Sequence, residues 1–312
     1  MGHDRRFRFG VQISTATSAD EWATLARRAE ELGYSSVFMP DHFGDQLSPG
    51  PALMAAADAT TELRIGTLVY ANDYKHPVVL AKEVATLDLL SGGRFEFGLG
   101  AGWMNTDYEQ SGIPHDRAGI RIDRLAEALT VCRGLFGPDP VTFDGDHYQL
   151  SEMVGMPKPV QSPHPPFLIG GGGKRVLTLA AQEADIVGIN PKIASGAVDT
   201  ETAQNGAPEL TDQKIQWVKD AAGDRYAELE LNMLVFAVVV TDDKQGVAEM
   251  MAPMFGLDPG LVGDYPLAWI GTEDEIVETI QARRDRWDVS YLVIQADAME
   301  TAAPIVARLA GT

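Results

Sequence analysis

The chain has a single cysteine, Cys132. One thiol cannot form an internal disulfide framework or a cysteine-rich metal site. Positive charge is also scarce. Lys and Arg number 25 against 45 Asp and Glu, a formal net charge of −20 at pH 7. Neutralising phosphates needs clustered Lys and Arg, so nucleic acid is excluded as a partner. An anionic membrane surface is excluded on the same ground. Long apolar runs are missing too. The longest, Leu231 to Val240, is interrupted by Asn232 and falls short of a bilayer span. The opening MGHDRRFRFG carries charge and then enters a strand pattern, without the apolar core of a secretory leader. A cytoplasmic protein in a reducing compartment is the expectation.

Several catalytic signatures are absent as well. There is no HExxH and no GxSxG. The histidines (His3, His42, His76, His115, His147, His164) show no ligand spacing, so no metal site is expected. Cys132 shares an apolar helix face with Leu125 and Leu129 and reads as a buried structural thiol. Trp217, Trp269 and Trp287 read as core or rim packing.

What the sequence has is an alternation of short β-rich runs and helical patterns. Strands are predicted at Phe7–Ile13, Ser35–Met39, Arg64–Tyr70, Arg94–Gly98, Phe167–Gly170, Asp185–Ile189, within Glu228–Thr241, and at Val289–Gln295. Helical patterns follow them. The first opens behind Ser18 and stops at Gly33; others cover Pro51–Thr60, Val78–Leu90, Arg117–Phe136, Arg175–Glu183, Asp212–Ala222, Gln245–Met251, Glu273–Trp287 and Met299–Leu309. Pro138–Pro166 holds seven prolines and reads as an excursion with a hairpin around Asp144-Gly145. Eight strands alternating with helices predict an α/β fold, a (β/α)8 TIM barrel with excursions after strands 4 and 6–7. That architecture takes about 250 residues. A single domain over residues 1–312 is therefore expected, the surplus filling the excursions. An open doubly wound sheet is the alternative.

In such barrels chemistry sits at the C-terminal strand ends. After the second strand stands Met39-Pro40-Asp41-His42-Phe43. A carboxylate beside an imidazole can bind a polar ring edge and move a proton; equally, Asp41 can cap a turn. After the third come Tyr70-Ala71-Asn72-Asp73, small and polar enough to admit a ligand or to make an ordinary turn. After the fourth comes Gly98-Leu99-Gly100-Ala101-Gly102-Trp103. It fails the dinucleotide fingerprint, because Trp103 fills the last glycine slot and no helix begins at once. Either a ligand lies against this backbone or the loop is simply tight. After the fifth, Gly170-Gly171-Gly172-Gly173-Lys174-Arg175 opens a helix. Consecutive backbone N–H groups at a helix N-terminus, with two cations beside them, suit an anion such as phosphate. It is no Walker loop, since Arg175 stands where Ser or Thr is required.

Taken in order, these segments resemble the bacterial luciferase-like superfamily of flavin and deazaflavin oxidoreductases. The resemblance runs through FGVQ, SSVFMPDHF, LRIGTLV, SGGRFEFGLGAGWMNTDYEQSGIP, RIDRLAEALTVCRGLF, VTFDGDHYQL, PPFLIGGGGKRVLTLAAQEADIVGIN and IGTEDEIVETIQARRDRW. It implies a cofactor at the barrel mouth, contacted by Asp41, by Leu68 and Val69 at a non-proline cis peptide, and by Ala71, Ala101 and Gly102. It implies that Gly172, Gly173, Arg175 and Val176 hold the cofactor phosphate, and that His42 is a catalytic proton donor. An asparagine contact of the family is matched by Asn105 with a one-residue shift and by Thr106 without it. Trp103 stands where the sugar-phosphate dehydrogenases of this family carry a catalytic glutamate, and Gly44-Asp45 replaces their active-site tryptophan. Trp103 is accordingly placed in a substrate pocket and glucose 6-phosphate is disfavoured. The GGGGKR loop and the ADIVGIN strand resemble the deazaflavin group more closely. The resemblance therefore implies coenzyme F420, hydride transfer to or from a small organic molecule, and a homodimer. FMN with a reduced-flavin monooxygenase activity is the alternative, and a non-catalytic cofactor-binding barrel the second.

Overall fold

The computed structural model describes residues 5–312; residues 1–4, His3 among them, lie outside that range. Its main sheet is parallel. The strands are β1 (Arg8–Gln12), β2 (Ser36–Met39), β3 (Arg64–Thr67), β4 (Phe95–Gly100), β5 (Phe167–Gly171), β6 (Ile186–Ile189), β7 (Glu230–Val235) and β8 (Val289–Gln295). Hydrogen-bonded neighbours run β3-β2-β1-β8-β7-β6-β5-β4, and β3 also pairs with β4. A helix follows each strand. This is the (β/α)8 barrel predicted from the alternation. Its strands are buried almost throughout, as a sheet covered by helices requires.

The chain divides into two compact units. Of the described residues, one comprises 5–13, 28–36 and 170–312; the other 14–27 and 37–169. In the first unit β8 lies between β1 and β7, with Arg8 opposite Tyr291 and Met233 opposite Leu292. The Arg8 guanidinium lies 3.8 Å over the Tyr291 ring and forks onto Glu230 at 2.9 and 2.6 Å. The paired charges thereby stay satisfied at the start of the strands. Helix Glu273–Trp287 opens with a capping box between Thr272 and Glu275, which satisfies two otherwise orphaned amides. Arg283 in that helix is half-buried, and its guanidinium donates to the carbonyls of Tyr265, Pro266 and Ala268. Burial holds its pKa down, to about 10.

In the second unit β4 pairs with β3 and with β5, Ile65 opposite Phe95 and Phe97 opposite Phe167. The proline-rich excursion does carry a hairpin, Val141–Asp144 against Gln149–Met153. Glu127 holds its turn by accepting from the amides of Asp146, His147 and Tyr148. Buried Asp88 anchors the end of the excursion through the amides of Val160 and Gln161. Cys132 is buried as expected, and burial pushes its thiol up to about 12.

The elements differ from the sequence reading in several places. Residues 64–70 do not form one strand: the Leu68–Val69 peptide is cis, and Tyr70–Ala71 resumes as a separate short strand beside Leu99–Gly100. The fourth strand runs on to Gly100, so Gly98 and Gly100 lie inside it. The seventh strand ends at Val235, and Ala237–Val240 pairs instead with Ala268–Gly271, a strand the sequence reading lacks. Helices Asn105–Ser111 and Thr200–Gln204 fill stretches read as loop. Short polar segments like these carry too little periodicity to announce a helix.

Candidate active site

The second unit places Asp41, His42, Ala71, Ala101, Gly102, Trp103 and Asn105 on the segments that follow β2, β3 and β4. His42 is the centre of a hydrogen-bonded group. Its Nδ1 lies 2.6 Å from Oδ2 of Asp107. The same oxygen accepts from the Tyr74 hydroxyl at 3.0 Å, and Oδ1 accepts from the amide of Phe43 at 3.1 Å. Asp107 is 4% exposed and His42 23%. A carboxylate accepts at Nδ1, so the neutral ring carries its proton there and leaves Nε2 as the basic nitrogen. Trp103 meets the imidazole edge to face, ring centres 5.4 Å apart at 83°.

Asp41 is not a turn cap. Its Oδ2 accepts from the amide of Ala71 at 3.2 Å, joining the ends of β2 and β3. Burial raises its pKa above the ordinary carboxylate value; the Ala71 bond, Lys75 and His42 pull the other way, and Glu83 adds to the rise. Lys75 itself is tied to Glu83 at 2.7 and 2.8 Å, and Glu83 also accepts from the Tyr70 hydroxyl.

The glycines in and just after β4 have a steric explanation. A Cβ on Gly98 would collide with the carbonyl of Thr67 and come within 3.1 Å of Val69 Cγ1. One on Gly100 would lie 2.6 Å from Val69 Cγ2. Both glycines make room for the segment that contains the cis peptide. Gly102 has φ +76°, and a Cβ there would strike the Tyr108 hydroxyl. Its carbonyl, with that of Ala101, accepts from buried Arg121. Arg124 from the same helix pairs with Asp73 at 2.7 Å and with Asp116. Tyr108 donates to Asp73 at 3.0 Å and stacks on His115 at 4.1 Å. Burial first, and Asp73 second, push the Tyr108 hydroxyl up to about 12.

The first unit carries Gly172, Gly173, Arg175 and Val176 at the start of helix Lys174–Glu183. Gly172 is tightly packed: a Cβ would run into the backbone of Pro191 and Lys192. Gly173 is different. It is the N-cap, with φ −98° and ψ 150° and no side chain to cap the helix, and a Cβ there would meet nothing within 4 Å. Neither backbone conformation nor protein packing demands glycine at 173. Open space in front of uncapped amides suits an anion approaching the helix N-terminus.

Asp107 was missed by the sequence reading. It sits in the first turn of a helix read as loop, 65 residues from His42. The only local signal is an acidic residue in the turn that follows Trp103. Among the described residues no cluster of His, Cys, Asp or Glu could hold a metal ion, and no helix is long and apolar enough to cross a membrane.

A (β/α)8 barrel with an imidazole–carboxylate pair after β2 and a glycine-lined helix start after β5 defines the class. The profile of the luciferase-like monooxygenase family matches residues 5–288, and the chain belongs to that family. Its relatives fall on both sides of a cofactor divide. It is 36% identical to the F420-dependent glucose-6-phosphate dehydrogenase of Amycolatopsis mediterranei over 155 residues, 47% of this chain and 46% of that protein. It is 26% identical to the FMNH2-dependent dimethylsulfone monooxygenase of Pseudomonas putida over 184 residues, 56% of this chain and 50% of that protein. In fold it is similar to the coenzyme F420-dependent tetrahydromethanopterin reductase of Methanopyrus kandleri. There the TM-score is 0.78 at 19% identity, covering 98% of this chain and 99% of that one.

Proposed function

We propose that the protein is a coenzyme F420-dependent oxidoreductase that moves a hydride between the deazaflavin and a small organic substrate. The observation that carries this reading is the His42–Asp107 pair with its Nδ1 contact of 2.6 Å. Hydride transfer to a carbonyl or activated alkene must be matched by a proton, which an imidazolium at this position would give from Nε2, the neutral ring with its proton on Nδ1 taking it back in the reverse direction. When bound, the deazaflavin supplies the hydride chemistry; the protein supplies binding, orientation and electrostatics.

The residues present fit such a cofactor. Gly173 leaves room before the uncapped start of its helix, where the amides and the positive end of the helix dipole favour a phosphate. Gly172, Arg175 and Val176 would complete that cradle. Asp41, Leu68, Val69, Ala71, Ala101, Gly102 and Asn105 would contact the ring system. Asp41 would present its carboxyl to the polar ring edge while keeping its bond to Ala71. His42 would give and take the proton through Nε2. Trp103, packed on the imidazole, would wall the substrate pocket and help exclude water. A homodimer in the cytoplasm belongs to the same reading.

The alternative, FMN with oxygen chemistry, is tested by the same experiment. Purified protein is titrated in parallel with F420 and FMN, following tryptophan fluorescence. Tighter F420 binding, with quenching lost in Trp103→Phe, is the expected result. Preference for FMN with substrate-dependent oxygen uptake overturns the proposal. Tight F420 binding without turnover by any electron partner would mark a carrier instead.

A further inference from the structure

Phe43 follows His42 directly, yet half of its surface (50%) is exposed. Its ring is nonetheless held. The Phe43 amide donates to Asp107, and the ring lies against Tyr74 with centres 4.5 Å apart at 32°. Tyr74 is fixed in turn by its own bond to Asp107 at 3.0 Å. One carboxylate therefore positions the imidazole, the Phe43 backbone and the Tyr74 hydroxyl. With Trp103, three aromatic rings are gathered around a single proton-transfer group.

The charges of these segments have one sign to offer. Lys75 is committed to Glu83, Arg124 to Asp73 and Asp116, and Arg121 to the carbonyls of Ala101 and Gly102. A substrate anion near His42 would feel the negative charge of buried Asp107 behind the imidazole and meet the electron-rich faces of aromatic rings. A neutral planar molecule would gain stacking without that repulsion.

We infer that Phe43 and Tyr74 form a stacking shelf for the substrate, and that the substrate is an uncharged, planar aryl or conjugated carbonyl compound, not a phosphorylated or carboxylated one. The inference rests on the reading of His42 as the proton-transfer group. It makes Phe43 a specificity residue and Tyr74 the positioning residue beneath it.

Acetophenone and benzoate serve as probes, because they share a ring and a carbonyl and differ in charge. Their dissociation constants are measured by calorimetry on the protein alone and on the protein loaded with F420. Acetophenone should bind at least about tenfold more tightly than benzoate. Phe43→Ala is expected to fold, its ring being half exposed. It should weaken acetophenone about threefold to tenfold, the range of one aromatic contact, and leave F420 affinity unchanged. Tyr74→Phe keeps the ring and should retain most of the acetophenone affinity. Equal or tighter benzoate binding overturns the inference. So does an unaltered acetophenone constant in Phe43→Ala, or no acetophenone binding in either state. Failure of F420 to bind counts against the proposed function instead, and leaves the acetophenone–benzoate order readable on the protein alone.

Discussion

Replacing Asp107 by Asn should switch the tautomer of His42. The carboxylate accepts three hydrogen bonds, from His42 Nδ1, the Tyr74 hydroxyl and the Phe43 amide. Asn keeps the shape but can accept on one side only. If its oxygen stays toward the Phe43 amide, its NH2 faces His42 and Tyr74. Both contacts can then be kept by reversing them. The hydroxyl oxygen accepts, Nδ1 accepts, and the imidazole proton moves to Nε2. Each of the three bonds changes from charge-assisted to neutral, at about 1 kcal/mol apiece, so the variant should lose up to about 3 kcal/mol of stability. In the neutral ring Nε2 then carries the proton and can no longer accept one. Turnover should fall by about 10² to 10⁴-fold while F420 affinity is unchanged. Urea denaturation reads the first quantity. Long-range proton–nitrogen spectra of histidine-labelled protein read the tautomer, with His42→Ala to assign the signal. An Asp107→Asn protein of full stability that still shows Nδ1–H would refute the reasoning.

Cys132 should resist alkylation in the folded protein, since burial holds its thiol near about 12; stoichiometric labelling by iodoacetamide at pH 8 without denaturant would contradict that. Gly98→Ala should cost several kcal/mol or abolish soluble expression, because the added methyl meets the fixed carbonyl of Thr67; a melting temperature equal to the parent's would show that the backbone gives way. Lys214 is buried with its ammonium on the Asn205 carbonyl, and burial lowers its pKa from 10.5 to about 8. Between those values the unfolded chain binds the extra proton, so this group's contribution makes stability rise with pH across that window. Lys214→Met should remove that rise in urea titrations taken at several pH values; an identical pH dependence in the variant would exclude Lys214 as its source.

Much of the barrel was legible because its physics is local. Runs such as VSYLVIQ and helix stops such as Gly33 and Gly92 write strand, turn and helix into neighbouring residues. The seventh strand was harder. Phe236 carries the apolar run onward, so nothing in the sequence marks where the chain leaves β7 at Val235 and takes a new partner. That partner, Ala268–Gly271, is only four residues long. In the site, His42 and Asp41 announced themselves by standing at a strand end. Asp107, Tyr74 and Phe43 did not, because their roles depend on contacts between segments up to 65 residues apart. The glycines of β4 were legible as unusual but not in their purpose. Two of them accommodate Val69, a relation that spans two strands and has no signature in either.

That fit also sets a direction for engineering the barrel mouth. Val69 leans on Gly98 and Gly100, and glycine is already the smallest residue available. A larger side chain at 69 cannot be accommodated by trimming its neighbours, because nothing is left to trim. A smaller one leaves a gap that alanine at 100 could fill, whereas at 98 the Thr67 carbonyl stands in the way. Libraries that reshape this wall should therefore vary residues 67–69 and 98–100 as one block, or leave all of them untouched.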